Sequence, residues 1–353
     1  MDDIFGYRFG SFILELADDT DAGVLLGRTT DAYELRFGSE TVSLDEIQDA
    51  YEAKLESVFA CNISQGDGVI EKISYTERNT AKPRVRVAHP RVLIPVFPGT
   101  NCEYDSAKAV SRAGAIPEIV IINNMTAQDT AESVDRVADA IRRSHAIFIP
   151  GGFSGGDEPD GSGKFITAFF RNAKIKDAVH DLLKNRDGLM CGICNGFQAL
   201  IKLGLVPYGE IVDVDEHSPT LTFNTIGRHQ SRIVRTRIAS VKSPWFACVN
   251  VDDVFAVPIS HGEGRFLADE EVLRSLIANG QVATQYVDLA DNPTSDIHFN
   301  PNNSMLAVEA ITSPDGRVLG KMGHSERVGE GLYKNVPDQF MMQLFESLVK
   351  YYQ

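Results

Sequence analysis

The sequence predicts an α/β protein built on a mostly parallel sheet, with a small α+β segment ahead of it. From residue 91 onward, short apolar runs that suit buried strands alternate with helical patterns, which is typical of a parallel sheet covered on both faces. Before residue 60, three strand-like runs and one amphipathic pattern are too few to build more than a marginal core. The 353 residues, 43% of them hydrophobic, are enough for two domains.

The first segment, residues 1–60, is predicted to combine strands with one helix. Its apolar runs predict strands at 11–16, 24–28 and 33–37. Ser43 suits a helix N-cap, and Glu46 three residues later completes a capping box. Residues 61–90 are largely polar and aperiodic, which predicts a mobile linker.

Residues 91–353 are predicted to form the main α/β domain. Apolar runs predict strands at 92–97, 118–122, 146–152 and 189–194, and turn residues at 313–316 predict a β-hairpin between 305–311 and 318–322. Sites in such sheets form at the carboxyl ends of the strands. We therefore expect the loop that begins at Gly151 and the residue Cys194 to lie at the same edge of the sheet.

The composition predicts a soluble, cytoplasmic protein. The net charge of −15 argues against nucleic acid or an anionic membrane surface as a partner. The sequence has no apolar run of about 18 residues and its acidic N-terminus is unlike a signal peptide. Five cysteines without regular spacing predict a reducing compartment.

The candidate nucleophile is Cys194, in the stretch Gly192-Ile193-Cys194-Asn195-Gly196. An apolar run before it and a helical pattern after it match a nucleophile elbow, the sharp strand-to-helix turn that exposes one side chain at the sheet edge. Glycine two residues to either side relieves crowding in such a turn. The helix start favours a thiolate and a neighbouring oxyanion. A lone cysteine at a strand end is more often only a buried core residue.

A candidate base and its orienting acceptor follow the predicted hairpin, as His324 and Glu326. A thiol nucleophile needs a base, and the base needs an acceptor that holds it in place. Residues two apart in an extended segment project to the same side. Considered without the cysteine, His324 could equally be a solvated loop histidine.

Other residues compete for these roles. Cys191 and Cys194 form a C-x-x-C that could be a redox pair or half a zinc site, but no second Cys/His pair follows, so we expect no metal. Cys102 follows a Pro-Gly turn and suits a packed thiol. His261, flanked by glycine, is the main competitor of His324 as the base.

The glycine-rich loop at residues 151–156 could be a phosphate-binding loop. It lacks the Gly-Lys-Ser/Thr ending of such loops. The acidic residues that follow would also repel phosphate: Asp157, Glu158 and Asp160. Backbone N–H groups of Gly152 or Phe153, together with that of Asn195, suit a developing oxyanion better.

Taken in order, Pro150-Gly151-Gly152-Phe153, Gly192-x-Cys194-x-Gly196 and His324-x-Glu326 resemble the class I glutamine amidotransferase family. Over about residues 90–353, five motifs resemble the glutaminase part of phosphoribosylformylglycinamidine synthases: 97–102, 151–154, 194–198, 261–265 and 300–304. Two positions depart from the family pattern. Ser325 stands where many members have proline, and Asn303 replaces a frequent glycine.

The resemblance implies a flavodoxin-like amidotransferase fold and a role for each matching residue. Cys194 would attack the side-chain amide of glutamine, His324 would protonate the departing ammonia, and Glu326 would orient His324. The remaining residues implied for the oxyanion and the substrate are Gly152, Phe153, Asn195, Gln198 and His261. Ammonia would pass to a synthetase portion, which would use ATP and Mg²⁺ to convert formylglycinamide ribonucleotide to its amidine.

Residues 1–60 resemble the C-terminal end of that synthetase portion in the large, single-chain form of the enzyme. The resemblance implies that this chain is a fragment that binds no cofactor itself, with ATP and Mg²⁺ in the missing synthetase half. Two alternatives stay open at this point. Another cysteine hydrolase of flavodoxin-like fold would usually lack the His-x-Glu, and a non-catalytic assembly subunit would usually lack the cysteine.

Overall fold

The computed structural model describes residues 6, 9–18, 20–61, 63, 69–156 and 162–353. They belong to two compact units, residues 1–62 and 63–353. The strands are β1 (Glu34–Phe37), β2 (Glu40–Ser43), β3 (Arg91–Val96), β4 (Ile116–Ile121), β5 (Ala146–Ile149), β6 (Leu189–Ile193), β7 (Thr220–Phe223), β8 (Gln230–Ile238), β9 (Val254–His261), β10 (Glu263–Leu267), β11 (Val282–Val287), β12 (Val308–Thr312) and β13 (Val318–Lys321).

The α-helices are α1 (Leu44–Glu56), α2 (Glu103–Arg112), α3 (Ala127–Arg143), α4 (Lys164–Phe170), α5 (Ala173–His180), α6 (Asn195–Lys202), α7 (Leu205–Tyr208), α8 (Glu270–Ala278) and α9 (Leu344–Tyr352). A π-helical turn extends α5 over Asp181–Asn185, and 3₁₀ turns cover Pro244–Phe246, Met305–Ala307 and Ser325–Arg327. None of the described helices is long and apolar enough to cross a bilayer.

The first unit consists of the antiparallel pair β1–β2 followed by α1. Ser43 caps α1 as predicted, with its hydroxyl accepting the N–H of Asp45 at 3.1 Å. The strands predicted at 11–16 and 24–28 are wrong, because these runs form no ladder with a partner strand. No described residue of this unit is buried. These two runs are apolar as predicted, but no described part of the first unit packs over them and buries them.

Part of the predicted linker at 61–90 is fixed to the second unit. Ile73 is buried and donates its N–H to the side chain of Gln285 at 2.9 Å. Tyr75 bridges to Ser240, and Arg78 donates to backbone carbonyls of the second unit. This differs from the predicted mobile linker, because side-chain hydrogen bonds hold a segment that has no apolar periodicity. Residues 62 and 64–68 of the predicted linker lie outside the described residues.

The second unit is built on a nine-stranded sheet in the order β4-β3-β5-β6-β13-β12-β11-β8-β9. The first five strands are mutually parallel, and the remaining neighbours pair antiparallel. β7 and β10 form a separate antiparallel pair. The predicted hairpin is confirmed as β12–β13. Since β3, β5, β6 and β13 run in the same direction, their carboxyl ends lie at one edge.

Two glycines let α6 pack closely on the buried strands β5 and β6. A Cβ added at Gly196, in the first turn of α6, would lie 2.2 Å from the carbonyl oxygen of Ile149. A Cβ added at Gly192 would lie 2.6 Å from the backbone of Gly196. Both distances are too short for any side chain. The glycines on either side of Cys194 are therefore required by backbone contact.

Gly196→Ala should destabilise the protein, because the obstacle is the backbone of β5 and cannot turn away. We expect a loss of about 1–3 kcal/mol in the free energy of unfolding, as for other overpacked cores. Urea denaturation followed by fluorescence measures it. Gly262→Ala is the matched control, since no heavy atom lies within 4 Å of its added Cβ. Equal stability of the two variants would contradict this account of the packing.

Candidate active site

The candidate site lies where four parallel strands end, around Gly151 in the loop after β5. A Cβ added at Gly151 would lie 2.7 Å from His324 Cε1, 3.2 Å from Cys102 Sγ and 3.4 Å from Cys194 Cβ. These three side chains follow β13, β3 and β6 respectively. The structure thus brings the predicted loop, cysteine and histidine together at the edge of the sheet, as the parallel-sheet rule requires.

Cys194 occupies the turn between β6 and α6 with φ 53° and ψ −106°. A non-glycine residue at positive φ is uncommon, and strain of this kind is typical of a nucleophile elbow. The side chain is 4% exposed, and its thiol donates to the carbonyl of Ser260 at 3.7 Å. The turn therefore presents one sulfur at the start of a helix, with the glycines Gly192 and Gly196 behind it.

His324 and Glu326 form a buried pair, with 2.6 Å between Nδ1 and Oε1. The sequence predicts an extended segment here, but the structure has a 3₁₀ turn over Ser325–Arg327 instead. Burial opposes a charge on His324, but the carboxylate of Glu326 and the thiols of Cys102 and Cys194 outweigh it and raise the pKa of His324 well above its usual value. The other ring nitrogen, Nε2, is buried and has no hydrogen-bond partner among the described residues.

Cys102 also belongs to this cluster, which sequence reasoning missed. Its Sγ lies 3.9 Å from His324 Nδ1 and donates to Asn101 Oδ1 at 3.0 Å. Burial raises the pKa of the Cys102 thiol, which disfavours a thiolate there. Its place just after β3, at the carboxyl edge, is the signal that could have identified it.

Cys191 is fully buried within β6, and burial raises the pKa of its thiol well above the ordinary value. Cys191 and Cys194 do not form a disulfide. Within the described ranges, the one group of side chains whose spacing could admit a metal ion is Cys102, His324 and Glu326, with ligand atoms within 4.8 Å of one another. The nitrogen of that set is already hydrogen-bonded to Glu326, so the arrangement is that of an acid–base pair beside a thiol.

The loop predicted to hold an oxyanion is shaped by Gly152, whose φ is +143°. A Cβ there would lie 2.7 Å from the carbonyl oxygen of Gly99, so only glycine fits. The N–H of Phe153 donates to that same oxygen at 2.8 Å, so an oxyanion role for Phe153 would require this bond to break and stays a prediction. The role of Gly152 stays a prediction. Asp157, Glu158 and Asp160 lie outside the described residues.

Asn195 and Gln198, predicted to contact the oxyanion or the substrate, connect α6 with the glycine-rich loop and with the start of β10 in the structure. Asn195 Oδ1 accepts the N–H of Ser154 at 3.2 Å, and its Nδ2 donates to Gln198 Oε1 at 3.0 Å. Gln198 Nε2 donates to the backbone carbonyl of Glu263. Their side chains therefore hold the loops around Cys194, and a direct contact with substrate stays a prediction.

His261, the rival base, ends β9 and is buried against Gly264. Neither of its ring nitrogens has a hydrogen-bond partner among the described residues. Burial, and next the charge of His324, lowers the pKa of His261 to about 3. His324 rather than His261 has the carboxylate partner that a base needs. A substrate-binding role for His261 stays a prediction.

An open pocket of about 320 Å³ borders His324. It is lined by residues of β8 and β9 and by the segment after β13: Ser231, Arg232, Ile233, Pro258, Ile259, Ser260, His324, Arg327 and Tyr333. Ser260 connects the pocket to the nucleophile, because its carbonyl accepts the Cys194 thiol. The pocket thus has the size of a small-molecule site and borders the candidate base His324.

Comparison with known proteins shows the family of this chain. The family described as the CobB/CobQ-like glutamine amidotransferase domain matches residues 89–352. The phosphoribosylformylglycinamidine synthase subunit PurQ of Methanococcus maripaludis is 37% identical over 244 residues, 67% of this chain and 82% of the relative. The PurQ subunit of Chlorobaculum tepidum is 32% identical over 263 residues, 74% of this chain and 97% of the relative.

Among solved structures, PurLQS from Thermotoga maritima matches with a TM-score of 0.54 at 23% identity, covering 75% of this chain and 100% of that chain, and it shows the same fold. The chain therefore belongs to the glutamine amidotransferases, and the predicted α/β amidotransferase fold is confirmed. Within that class, the identity and coverage of its relatives place it in the family of PurQ subunits.

The free energy of unfolding should decrease as the pH falls from about 6.5 toward about 3, in part because of His261. Its pKa is about 3 in the folded protein and about 6.5 in an unfolded chain. The unfolded state therefore takes up the proton first, and stability that is fully present above pH 6.5 is lost on acidification. Urea denaturation at several pH values should show that the free energy of unfolding depends less steeply on pH in His261→Gln than in the wild type.

The control for this experiment is Val137→Ala, which truncates a buried side chain of α3 that has no titratable group. It should lower the stability but keep the wild-type dependence of stability on pH, because it removes no proton-binding group. If His261→Gln also kept the wild-type dependence, His261 would not be neutral in the folded protein, and the assignment would be wrong.

Proposed function

We propose that this chain is the glutaminase portion of a phosphoribosylformylglycinamidine synthase, which hydrolyses glutamine and supplies ammonia for the amidine of purine biosynthesis. The observation that carries the proposal is the convergence of Cys194 with the buried pair His324–Glu326 in a chain of the PurQ family. Glutamine is the amido donor of this reaction class, so the substrate carries a carboxamide that a thiolate can attack.

The proposed reaction begins with Cys194 as a thiolate and His324 as an imidazolium. The raised pKa of His324 favours the charged ring near neutral pH. Sulfur attacks the carboxamide carbon, and the carbonyl electron pair moves to oxygen, which the N–H of Gly152 would stabilise. His324 gives its proton to the departing nitrogen, which releases ammonia and leaves a thioester.

Hydrolysis of the thioester completes the cycle. His324, now neutral, takes a proton from water as the water attacks the thioester carbon. The carbon–sulfur bond breaks, glutamate leaves, and the thiolate of Cys194 and the charged His324 are restored. Glu326 stabilises the charged ring each time it forms, at 2.6 Å from Nδ1. The pocket beside His324 is the proposed entry for glutamine, and its volume of about 320 Å³ is large enough for that molecule.

Glutamate release by the full chain, alone and with its synthetase portion, tests the proposal. Cys194→Ala should abolish it, and His324→Ala should lower kcat by several orders of magnitude, roughly as in other triads. Glu326→Ala should cost less, because an orienting group contributes less than the base. A glutamine analogue carrying an electrophile should label Cys194 at one equivalent.

The matched control is Cys61→Ala, since Cys61 is an exposed cysteine of the first unit. It should keep wild-type turnover and labelling. Peptide mapping that finds the adduct on Cys102 or Cys191, or turnover that persists in Cys194→Ala, would overturn the assignment of the nucleophile.

The same proposal extends to residues 1–60, as the C-terminal remnant of a synthetase portion in a large single-chain enzyme. Two observations support it. The family match begins at residue 89, so this segment is not part of the glutaminase family. Its described residues leave large apolar side chains uncovered, with Phe12 85% and Ile13 80% exposed. ATP and Mg²⁺ would be bound by the synthetase portion, and a cytoplasmic location follows from the pathway.

Removing residues 1–60 should leave labelling of Cys194 unchanged and weaken glutamine-dependent amidine formation with a synthetase portion that lacks this segment. The physical reason is that the synthetase portion would lose the apolar side chains of residues 1–60 that the proposal has it contact. This chain alone should form no amidine from formylglycinamide ribonucleotide, ATP and Mg²⁺, even with ammonia. Amidine formation by the chain alone, or full activity of the shortened form, would contradict the proposal.

A further inference from the structure

We infer that Glu309, held in place by its buried ion pair with Lys321, positions the turn that carries His324 through the oxygen that accepts the N–H of Gly323, and is therefore a positioning residue of the reaction. The inference rests on the proposed glutaminase function. The backbone carbonyl of Lys321 accepts the N–H of Cys194 at 2.8 Å, but in the described hydrogen bonds neither side chain of the pair contacts the candidate nucleophile. The sequence pattern around the pair predicts only two strands of a hairpin.

The pair is completely enclosed. Lys321 ends β13 and Glu309 lies in the adjacent β12, and both side chains are 0% exposed. Lys321 Nζ lies 2.8 Å from Oε1 and 3.0 Å from Oε2 of Glu309. Thr284 of β11 donates its hydroxyl to Oε2. The carboxylate is therefore held from two sides, by a cation and by a hydroxyl.

The carboxylate also holds the catalytic turn. Oε1 of Glu309 accepts the backbone N–H of Gly323 at 2.6 Å. The next N–H, that of His324, donates to the carbonyl of Pro258 at 2.9 Å. Two consecutive N–H groups are thus anchored, one to each side of the turn. A Cβ added at Gly323 would lie 2.7 Å from Val257 and 3.0 Å from Lys321 Nζ, so the turn is also tightly enclosed.

Stability alone does not account for an ion pair in this place. Removing two charges from water is costly, and an apolar pair of similar size is often as stable or more so. What an apolar pair cannot supply is an acceptor at a fixed point for the N–H of Gly323. Because His324 is the next residue, the position of its ring depends on that acceptor. A misplacement of about 1 Å at a reacting group can cost about a hundredfold in rate.

Two double variants separate positioning from stability. Glu309→Gln with Lys321→Met removes both charges but keeps an oxygen that accepts the N–H of Gly323. Glu309→Leu with Lys321→Met removes the charges and the acceptor. The first should retain most of the wild-type kcat for glutamate release. The second should lose about one to two orders of magnitude in kcat, with KM for glutamine little changed.

A stability control and a second readout complete the design. Val137 is a buried residue of α3, away from this turn. Val137→Ala should lower stability without lowering kcat. Hydrogen exchange at the amide of Gly323 should be slow in the wild type and in the Gln variant, and fast in the Leu variant. That readout does not require glutaminase activity.

Equal kcat values or equal exchange at Gly323 in the two double variants would overturn the inference, since the acceptor would then not position the turn. Loss of kcat in Val137→Ala to the extent seen in the Leu variant would also overturn it, since reduced stability would explain the effect. Failure of the proposed function is distinguishable, because it would show as no difference in glutamate release between the wild type and Cys194→Ala.

Discussion

The site depends on the absence of a side chain at residue 151. Any Cβ there would come within 2.7 Å of the ring of His324 and 3.2 Å of Cys102 Sγ. The ends of β3, β5, β6 and β13 can meet only because backbone alone occupies the space between them. Residue 196 must lack a side chain for the same reason, because α6 contacts the backbone of β5 at that point. The separation of nucleophile and base is thus set by close packing around Gly151 at the ends of parallel strands, and packing of this kind is rigid.

Within that packed centre, the carboxylate of Glu326 distinguishes two buried histidines, because it is paired with only one of them. His324 and His261 are both buried, and burial disfavours the charged ring in both cases. Glu326 lies 2.6 Å from His324 and raises its pKa well above the usual value. His261 has no hydrogen-bonded carboxylate among the described residues, and burial and then the charge of His324 lower its pKa to about 3. Burial disfavours a charge on the His324 ring, but the low dielectric of the interior also strengthens the attraction between that ring and Glu326.

Sequence reasoning found the strands under the site and the cysteine, histidine and glutamate, because apolar runs and residue spacing along the chain are visible in the sequence. It missed Cys102 and the pair Lys321–Glu309, since those contacts depend on which strands are neighbours. Periodicity does not reveal strand order. Phe153 was predicted as a donor from its place in the loop, but the same turn that brings it there uses its N–H on Gly99. Asn303, where the family often has glycine, is accommodated because its φ of 56° is one that both residues adopt.

The strands predicted at 11–16 and 24–28 failed for a reason that bears on function. An apolar, alternating run indicates that one face will be covered, but it does not say by what. In the first unit no described residue is buried, so the covering surface is not supplied by that unit itself. Large apolar side chains left in water cost free energy in proportion to their area. The runs are therefore better understood as apolar surface that lies ready for a cover from outside the unit, and under the proposed function a synthetase portion would supply that cover.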